Sequence, residues 1–243
     1  DEQPIAAFLL RGSQQCGQEF LKDRLLSRVN IGSDRKEILI DFATQANGIP
    51  TVQDIWQILK EKLSKISAFE PEGIAEDIFQ QYFSMGQHIV MVFNNIDTIP
   101  GDLRSALIKE FWFKLSNWLD ELIDGPSDTR VYLFLLDKNC SVAPGAATPG
   151  VNAQFYEQQF EAAELEKHHL FLLPIVSWVE GPYLSKWRDQ QELPVPLGLK
   201  DEILQALVGD AGKPVIPAVK SICEHANFID IYTTNFLQYE YKT

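Results

Sequence analysis

The stretch IAAFLLRGSQQCGQEFLKDRLLSRV, residues 5–29, is the part of the sequence from which the fold can be read. Residues 5–10 are an unbroken apolar run, which predicts a buried strand. A polar loop follows over 12–17, with a glycine at each end. From Gln18 onward a helix is predicted, because apolar residues recur at helical spacing, namely Phe20, Leu21, Leu25, Leu26 and Val29.

The loop has the spacing of a phosphate-binding P-loop, whose full signature is G-x-x-x-x-G-K-[ST]. Gly12 and Gly17 stand at the required positions, but Gln18 replaces the lysine that reaches the phosphates. Glu19 replaces the hydroxyl residue that binds magnesium. A charge pair at contact contributes up to about 4 kcal/mol at an effective dielectric near 20, so losing the lysine weakens binding by up to about 10³-fold. One interpretation is that Glu19 itself fills the place of a phosphate at the positive end of the helix dipole.

The composition limits the class of protein. The chain has 243 residues, 45% of them apolar, which is enough for one large α/β core. Its net charge of −13, from 34 acidic and 21 basic residues, disfavours binding to nucleic acid and to anionic lipid. Three cysteines at remote spacings, and no apolar stretch of about eighteen residues, favour a reduced, cytoplasmic setting. Because the chain begins directly before its first strand, we expect it to be one domain of a longer protein.

Apolar runs and helical periodicity alternate along the rest of the chain. Four more strands are predicted, at 37–43, 89–93, 130–136 and 168–173. Helices are predicted near 51–66, 71–83, 101–123, 157–166, 178–188, 199–208 and 214–227, and a mobile loop near 137–153. This order predicts a doubly wound parallel sheet of about five strands, P-loop NTPase-like, with a small C-terminal helical extension. The expected domains are an α/β domain over 1–190 and the extension over 191–243.

The second informative stretch is HIVMVFNNIDTIP, residues 88–100. The strand in an active P-loop enzyme would end in an acid that holds magnesium, whereas Asn94 stands here, and an amide is a poor replacement for a carboxylate. The alternative is that Asn94, Asn95 and Asp97 simply make the turn that follows a strand. The carboxyl ends of the strands share one edge of a parallel sheet. We therefore expect three segments, 12–19, 94–97 and 137–139, to converge at that edge.

In order and spacing, these motifs resemble the STAND division of P-loop ATPases, the NACHT and AP-ATPase relatives used as signalling switches. In their second motif, Asn94 stands for the metal-binding acid, Asn95 for glycine, Asp97 for the second acid and Thr98 for glutamate. The run Asp137-Lys138-Asn139 is similar to a strand end that commonly reads Thr-Ser-Arg, and the γ-phosphate-sensing arginine has no match in register. The resemblance covers roughly residues 5–190.

Since the departures fall on the chemical positions 18, 19 and 94, the chain is most similar to the inactive STAND group. The resemblance implies a non-catalytic NTPase-like domain, a sensor or protein-interaction platform in a larger bacterial signalling or conflict (immunity-type) protein. We expect a protein partner or fused effector, possible oligomerisation, and no catalytic residue, metal or cofactor. The vestigial nucleotide site would comprise Gly12, Gly17, Gln18, Glu19, Asn94, Asn95 and Asp97.

Two other functions stay open at this point. The first is residual binding or slow hydrolysis of ATP or GTP with magnesium, in which Arg11, Lys22 or Lys138 would supply the missing charge. The second is a non-phosphate small ligand in the vacated pocket. His168 and His169 do not look like a metal pair, because on a predicted strand their rings would point to opposite faces.

Overall fold

The structure is a computed structural model. The residues it describes are 4–13, 16–29, 35–44, 51–64, 79, 82, 85–122, 129–140, 154–173, 175, 205–206, 217–218 and 220–221. Residues 141–153 of the loop predicted near 137–153 and the helix predicted at 178–188 lie outside these residues. Nearly all of the helix predicted at 71–83 and of the C-terminal extension also lie outside them.

The five predicted strands form one sheet with the order β2-β3-β4-β1-β5. Their bounds are β1 Ile5–Arg11, β2 Arg35–Asp41, β3 His88–Asn94, β4 Val131–Asp137 and β5 Leu170–Leu172. The pairs β2–β3, β3–β4 and β1–β5 are parallel. Val131 N, at the start of β4, donates to Pro4 O just before β1 (2.8 Å), so these two strands also begin at the same edge. The predicted parallel α/β sheet of five strands is confirmed.

Helices connect the strands. They are α1 Gln18–Arg28, α2 Val52–Ser64, α3 Gly101–Ala106, α4 Phe113–Leu122, α5 Phe155–Gln159 and α6 Ala162–Lys167. A π-helical segment, Leu107–Trp112, joins α3 to α4, so the helix predicted from 101 is continuous but contains wider turns. A capping box begins α2, because Asp54 Oδ2 accepts Thr51 N (2.7 Å) and Thr51 Oγ1 accepts Asp54 N (3.2 Å).

The main core lies on one face of the sheet. Alternate strand residues supply it, namely Ile5, Ala7, Leu9, Ile38, Ile40, Ile89, Met91, Phe93, Val131, Leu133, Leu135 and Leu170. The central strands β3 and β4 are buried on both faces, as a parallel sheet with two covered faces requires. Strand β2, at one edge of the sheet, alternates exposed and buried residues along most of its length.

The chain divides into two compact units, each assembled from separate pieces of sequence. The first comprises Asp1–Leu10, Arg24–Asp137 and Phe155–Leu173, and it contains nearly all of the sheet. The second comprises Arg11–Asp23, Lys138–Gln154 and Pro174–Thr243. The division predicted near residue 190 stays a prediction. None of the helices in the described ranges has the length and apolar character that a bilayer crossing requires.

Candidate functional site

The glycine-bounded loop belongs to the second unit, and its backbone turns back on itself. Cys16 N donates to Ser13 O (3.2 Å), which closes the turn before α1. Gly17 adopts a positive φ of 87°, a conformation that side-chain-bearing residues rarely adopt. The second glycine of the motif is therefore required by the geometry of the turn, whatever the loop binds.

Gln18, in the position of the P-loop lysine, is bonded to the loop itself. Its Nε2 donates to Ser13 O (3.0 Å), and only 3% of the residue is exposed. Ser13 O therefore accepts from both Cys16 N and Gln18, which uses both lone pairs of the carbonyl oxygen. The side chain that would face a phosphate in a P-loop instead stabilises the loop backbone.

Glu19, in the position of the magnesium-binding hydroxyl, pairs with Lys138. Lys138 Nζ lies 3.1 Å from Glu19 Oε1, and the two side chains are 8% and 14% exposed. Glu19 stands in the first turn of α1, where the helix dipole also favours a negative charge. An internal carboxylate and an internal ammonium thus neutralise each other at the position where magnesium would require an unpaired oxygen ligand.

The residues after β4 are also hydrogen-bonded to the loop. Cys140 N donates to Gly12 O (3.1 Å), and Ser13 pairs with Asn139 in an isolated antiparallel bridge. The sequence predicted that residues 137–139 share one edge of the sheet with the glycine loop, but it did not specify that Lys138 pairs with Glu19. The available signal was the opposite charge of Lys138 and Glu19.

The other cations considered for a residual site are also accounted for. Lys22 Nζ lies 3.0 Å from Asp23 Oδ1, and Lys22 is buried. Arg11 is buried at the end of β1. Two of the three candidate cations therefore already contact a carboxylate.

The residues that end β3 lie in the first unit and gather around Asp41. Asp41 ends β2 and is level with Asn94 in the parallel register. Asn94 Nδ2 donates to Asp41 Oδ2 (3.3 Å), and Asn95 Nδ2 donates to Asp41 Oδ1 (2.8 Å). The buried Asn94 Oδ1 has no hydrogen-bond partner within the described part of the chain. Asn94 thus presents its amide nitrogen to the neighbouring carboxylate, as an acid in its place could not at neutral pH.

Asn95 makes the turn that follows β3. Its φ of 57° and ψ of 41° are left-handed, a region that asparagine tolerates better than other residues with a side chain. Asn95 O accepts both Thr98 N (3.1 Å) and Thr98 Oγ1 (2.7 Å). Asp97 lies half-buried in the 3₁₀ turn Ile96–Thr98. Among the described residues, no group of three or more histidine, cysteine or acidic side chains could hold a metal ion.

A buried charge cluster at the end of β4 was missed by the sequence reading. Asp137 is fully buried, and its Oδ2 accepts the hydroxyl of Tyr156 (2.8 Å). Arg104 Nη1 lies 3.6 Å from the same oxygen, and the Arg104 guanidinium stacks on the ring of Phe155 (4.6 Å). Arg104 comes from the long helix after β3, where the sequence shows only an amphipathic pattern. The cluster therefore joins that helix and α5 to the end of β4.

The two adjacent histidines lie in a turn, so the prediction that they belong to a strand was wrong. His168 N bonds back to the carbonyls of Glu164 and Leu165, and His169 has a positive φ of 52°. The His168 ring stacks on Phe113 at 4.1 Å, and burial lowers the pKa of His168 below its ordinary value. The His168 ring is therefore a packed group of the core.

Comparison with known protein families identifies the chain. A family model described as inactive STAND matches residues 1–136, more than half of the sequence. The chain belongs to the inactive STAND family. As an inactive STAND domain it is a degenerate relative of P-loop NTPases, and the fold described above agrees with that relationship. A search of the curated proteins found no similar sequence.

Several solved structures resemble this inactive STAND domain at low identity. Cdc6p from Pyrobaculum aerophilum is 11% identical with a TM-score of 0.47, over 96% of this chain and 56% of that one. The Aeropyrum pernix ORC2 protein is 12% identical with a TM-score of 0.46, over 93% and 58%. Drosophila ORC bound to DNA is 12% identical with a TM-score of 0.41, over 77% and 28%. The chain thus spans about a quarter to three fifths of those chains, and the likeness carries no information about activity or partners.

Proposed function

We propose that this inactive STAND domain is non-catalytic and acts as a sensor or protein-interaction platform within a larger bacterial signalling or conflict (immunity-type) protein in the cytoplasm. The observation that carries the proposal is the Glu19–Lys138 contact of 3.1 Å. It supports a loop whose polar groups are engaged internally, since Gln18 also bonds to Ser13 O.

The energetics favour an empty loop. A triphosphate would have to displace Lys138 from Glu19 or approach the Glu19 carboxylate, and repulsion at contact costs up to about 4 kcal/mol at an effective dielectric near 20. Gln18 cannot supply the charge attraction that a lysine would, because its amide is neutral. Asn94 likewise offers magnesium a neutral oxygen donor in place of a carboxylate. These substitutions support a domain that works without a nucleotide or a metal.

The proposed partners are proteins, either separate chains or a fused effector domain, and oligomerisation is compatible with the proposal. The net charge of −13 supports a partner other than nucleic acid or anionic lipid, because both would be repelled. Neither a cofactor nor a metal takes part in the proposed function.

Isothermal titration calorimetry with ATP and GTP, each with magnesium, tests the absence of a nucleotide role. We expect no binding tighter than roughly millimolar, because the lost lysine alone weakens binding by up to about 10³-fold. Binding of either nucleotide in the low micromolar range would overturn the proposal.

The alternative function, a residual ATP or GTP binder or slow NTPase, is favoured by one observation, the position of Lys138 beside the loop. In that case Lys138→Met would abolish any nucleotide binding that the titration detects. Lys22→Met serves as the comparison, because Lys22 contacts Asp23 and lies one helical turn beyond Gln18 in α1. The alternative would be excluded if the original chain, Lys138→Met and Lys22→Met all gave no heat of nucleotide binding.

A further inference from the structure

A surface pocket of about 390 Å³ lies between the first turn of α2 and the long helix that contains α3, the π segment and α4. Its volume falls within the range of sites that bind ligands or anchor side chains. The apolar part of its wall consists of half-buried residues, namely Val52, Trp56, Leu103 and Ala106. The Trp56 ring is held in place by Phe111, whose ring centre is 4.6 Å away.

The rim of the pocket carries one acidic and one basic side chain. Glu110 and Lys114 line the pocket and are both exposed. Neither residue makes an ion pair or a side-chain hydrogen bond with any other group in the described part of the chain. They stand about one turn apart on the same helix, so they present a fixed order of negative and positive charge.

The helix wall of the pocket is irregular. Glu110 lies in the π segment, Leu107–Trp112, while Leu103 and Lys114 lie in the α-helical turns on either side. Single turns of π-helix inside α-helices are rare and occur frequently at functional sites. The core does not require Glu110 in this segment, because the four buried residues there are Leu107, Ile108, Phe111 and Trp112.

We propose that this pocket binds an amphipathic helical segment of a partner protein or fused effector. The inference rests on the proposed function of the domain as a protein-interaction platform. One large apolar side chain of the segment packs on Trp56, a basic residue of the segment pairs with Glu110, and an acidic residue one turn away pairs with Lys114. The occupant is thus a helix that carries a base and an acid at a spacing of four residues beside an apolar anchor.

Charge complementarity and the need for apolar contact favour a helix over a small zwitterion. Glu110 and Lys114 are exposed, and exposed ion pairs contribute little affinity by themselves. The binding energy must therefore come from apolar contact at the Trp56 side of the pocket, and tryptophan is enriched among residues that dominate protein interfaces. A helix supplies an anchor and adjoining area at once, whereas the charges set its direction.

The probes for a binding test are synthetic helical peptides that share a leucine or tryptophan anchor and differ only in the order of one arginine and one glutamate, four residues apart. Fluorescence anisotropy of each labelled peptide with the full chain measures affinity. We expect one order to bind roughly fivefold or more tightly than the other. In the double variant Glu110→Lys/Lys114→Glu, the preference should reverse, and Trp56→Ala should weaken both peptides.

The matched control is the double variant Glu61→Lys/Lys62→Glu, which exchanges two exposed charges on α2 away from the pocket. It should leave the peptide preference unchanged. The proposal is overturned if neither peptide binds, or if the preference does not reverse in Glu110→Lys/Lys114→Glu. It is overturned as well if the control double variant changes the preference in the same way. It is also overturned if sedimentation shows self-association that Glu110→Lys/Lys114→Glu abolishes, because the occupant is then a second copy. If the peptide test fails and calorimetry detects no nucleotide binding, only the proposed peptide site is rejected, and the proposal of a non-catalytic domain stands.

Discussion

Lys138 Nζ lies 3.1 Å from Glu19 Oε1 although 119 residues separate the two along the chain. The contact joins the residue after β4 to the first turn of α1, at the position where a P-loop holds magnesium. Both side chains are largely withdrawn from water, so solvent screens the attraction between the two charges only weakly. The pair therefore occupies part of the cradle that a phosphate and its metal would need.

The first prediction concerns the strength of this pair. Glu19→Gln and Lys138→Met should each lower the free energy of unfolding by roughly 3–5 kcal/mol, because each removes one partner of a largely buried ion pair. The double variant should lose less free energy of unfolding than the two single variants together. Urea unfolding of the original chain, the two single variants and the double variant measures the coupling energy. As a control, Arg35 and Glu37 form an exposed pair at 3.7 Å whose coupling should stay below about 1 kcal/mol. Additive losses at Glu19 and Lys138 would contradict the prediction.

The second prediction concerns the shape of the loop. The double variant Gln18→Lys/Glu19→Thr restores the lysine and the hydroxyl of the P-loop signature. We expect its affinity for ATP with magnesium to rise by a factor of about 10 or more, because it adds a cation and removes the carboxylate that competes for Lys138. Calorimetry measures the gain.

Gln57→Lys/Glu61→Thr makes the same chemical changes on the exposed side of α2 and provides the control for net charge. It should bind no better than the original chain. A folded Gln18→Lys/Glu19→Thr variant that gains no affinity would show that the loop has lost the shape of a phosphate cradle as well as its charge.

The third prediction concerns the left-handed turn after β3. Asn95→Ala should destabilise the domain by roughly 1–2 kcal/mol from backbone strain, with a further loss from the missing hydrogen bond to Asp41. Asn95→Gly loses the same hydrogen bond but relieves the strain, so it should be the more stable of the two. Thermal unfolding of both variants tests the order. A glycine variant less stable than the alanine variant would contradict the assigned conformation.

The fourth prediction concerns pH. Burial lowers the pKa of His168 below its ordinary value near 6.5. Well above pH 6.5 the His168 ring is neutral in both the folded and the unfolded chain. Below that pH the unfolded chain takes up a proton that the folded chain does not, so the free energy of unfolding should fall as pH falls. The contribution is at most about 1.4 kcal/mol per pH unit.

Urea unfolding between about pH 5 and pH 8 measures this dependence, and His168→Gln should make it shallower below pH 6.5. The matched control is His169→Gln, since His169 is the neighbouring residue and lies half-buried against Asp120 at 3.1 Å. If the two variants change the pH dependence equally, the burial of His168 is not the source of the effect.

The strands could be predicted because their signal is local. Residues 89–93 and 131–136 are apolar without interruption, and the strands predicted at 89–93 and 130–136 became β3 and β4 with shifts of one residue at their ends. The start of α1 at Gln18 followed in the same way from helical periodicity. The two histidines before β5 were misassigned to the strand because they directly precede its apolar run. The left-handed turn at His169 leaves no pattern in the sequence.

The sequence alone determined that the chain begins with strand, glycine loop and helix, and that Gln18, Glu19 and Asn94 stand where an active P-loop enzyme needs a lysine, a hydroxyl and an acid. Those conclusions depend only on residue type and spacing. The tertiary structure decided that Lys138 pairs with Glu19, and that Asp41 accepts hydrogen bonds from the two asparagines after β3. Strand order and register bring such residues together from distant parts of the chain, and a one-dimensional pattern does not contain that information.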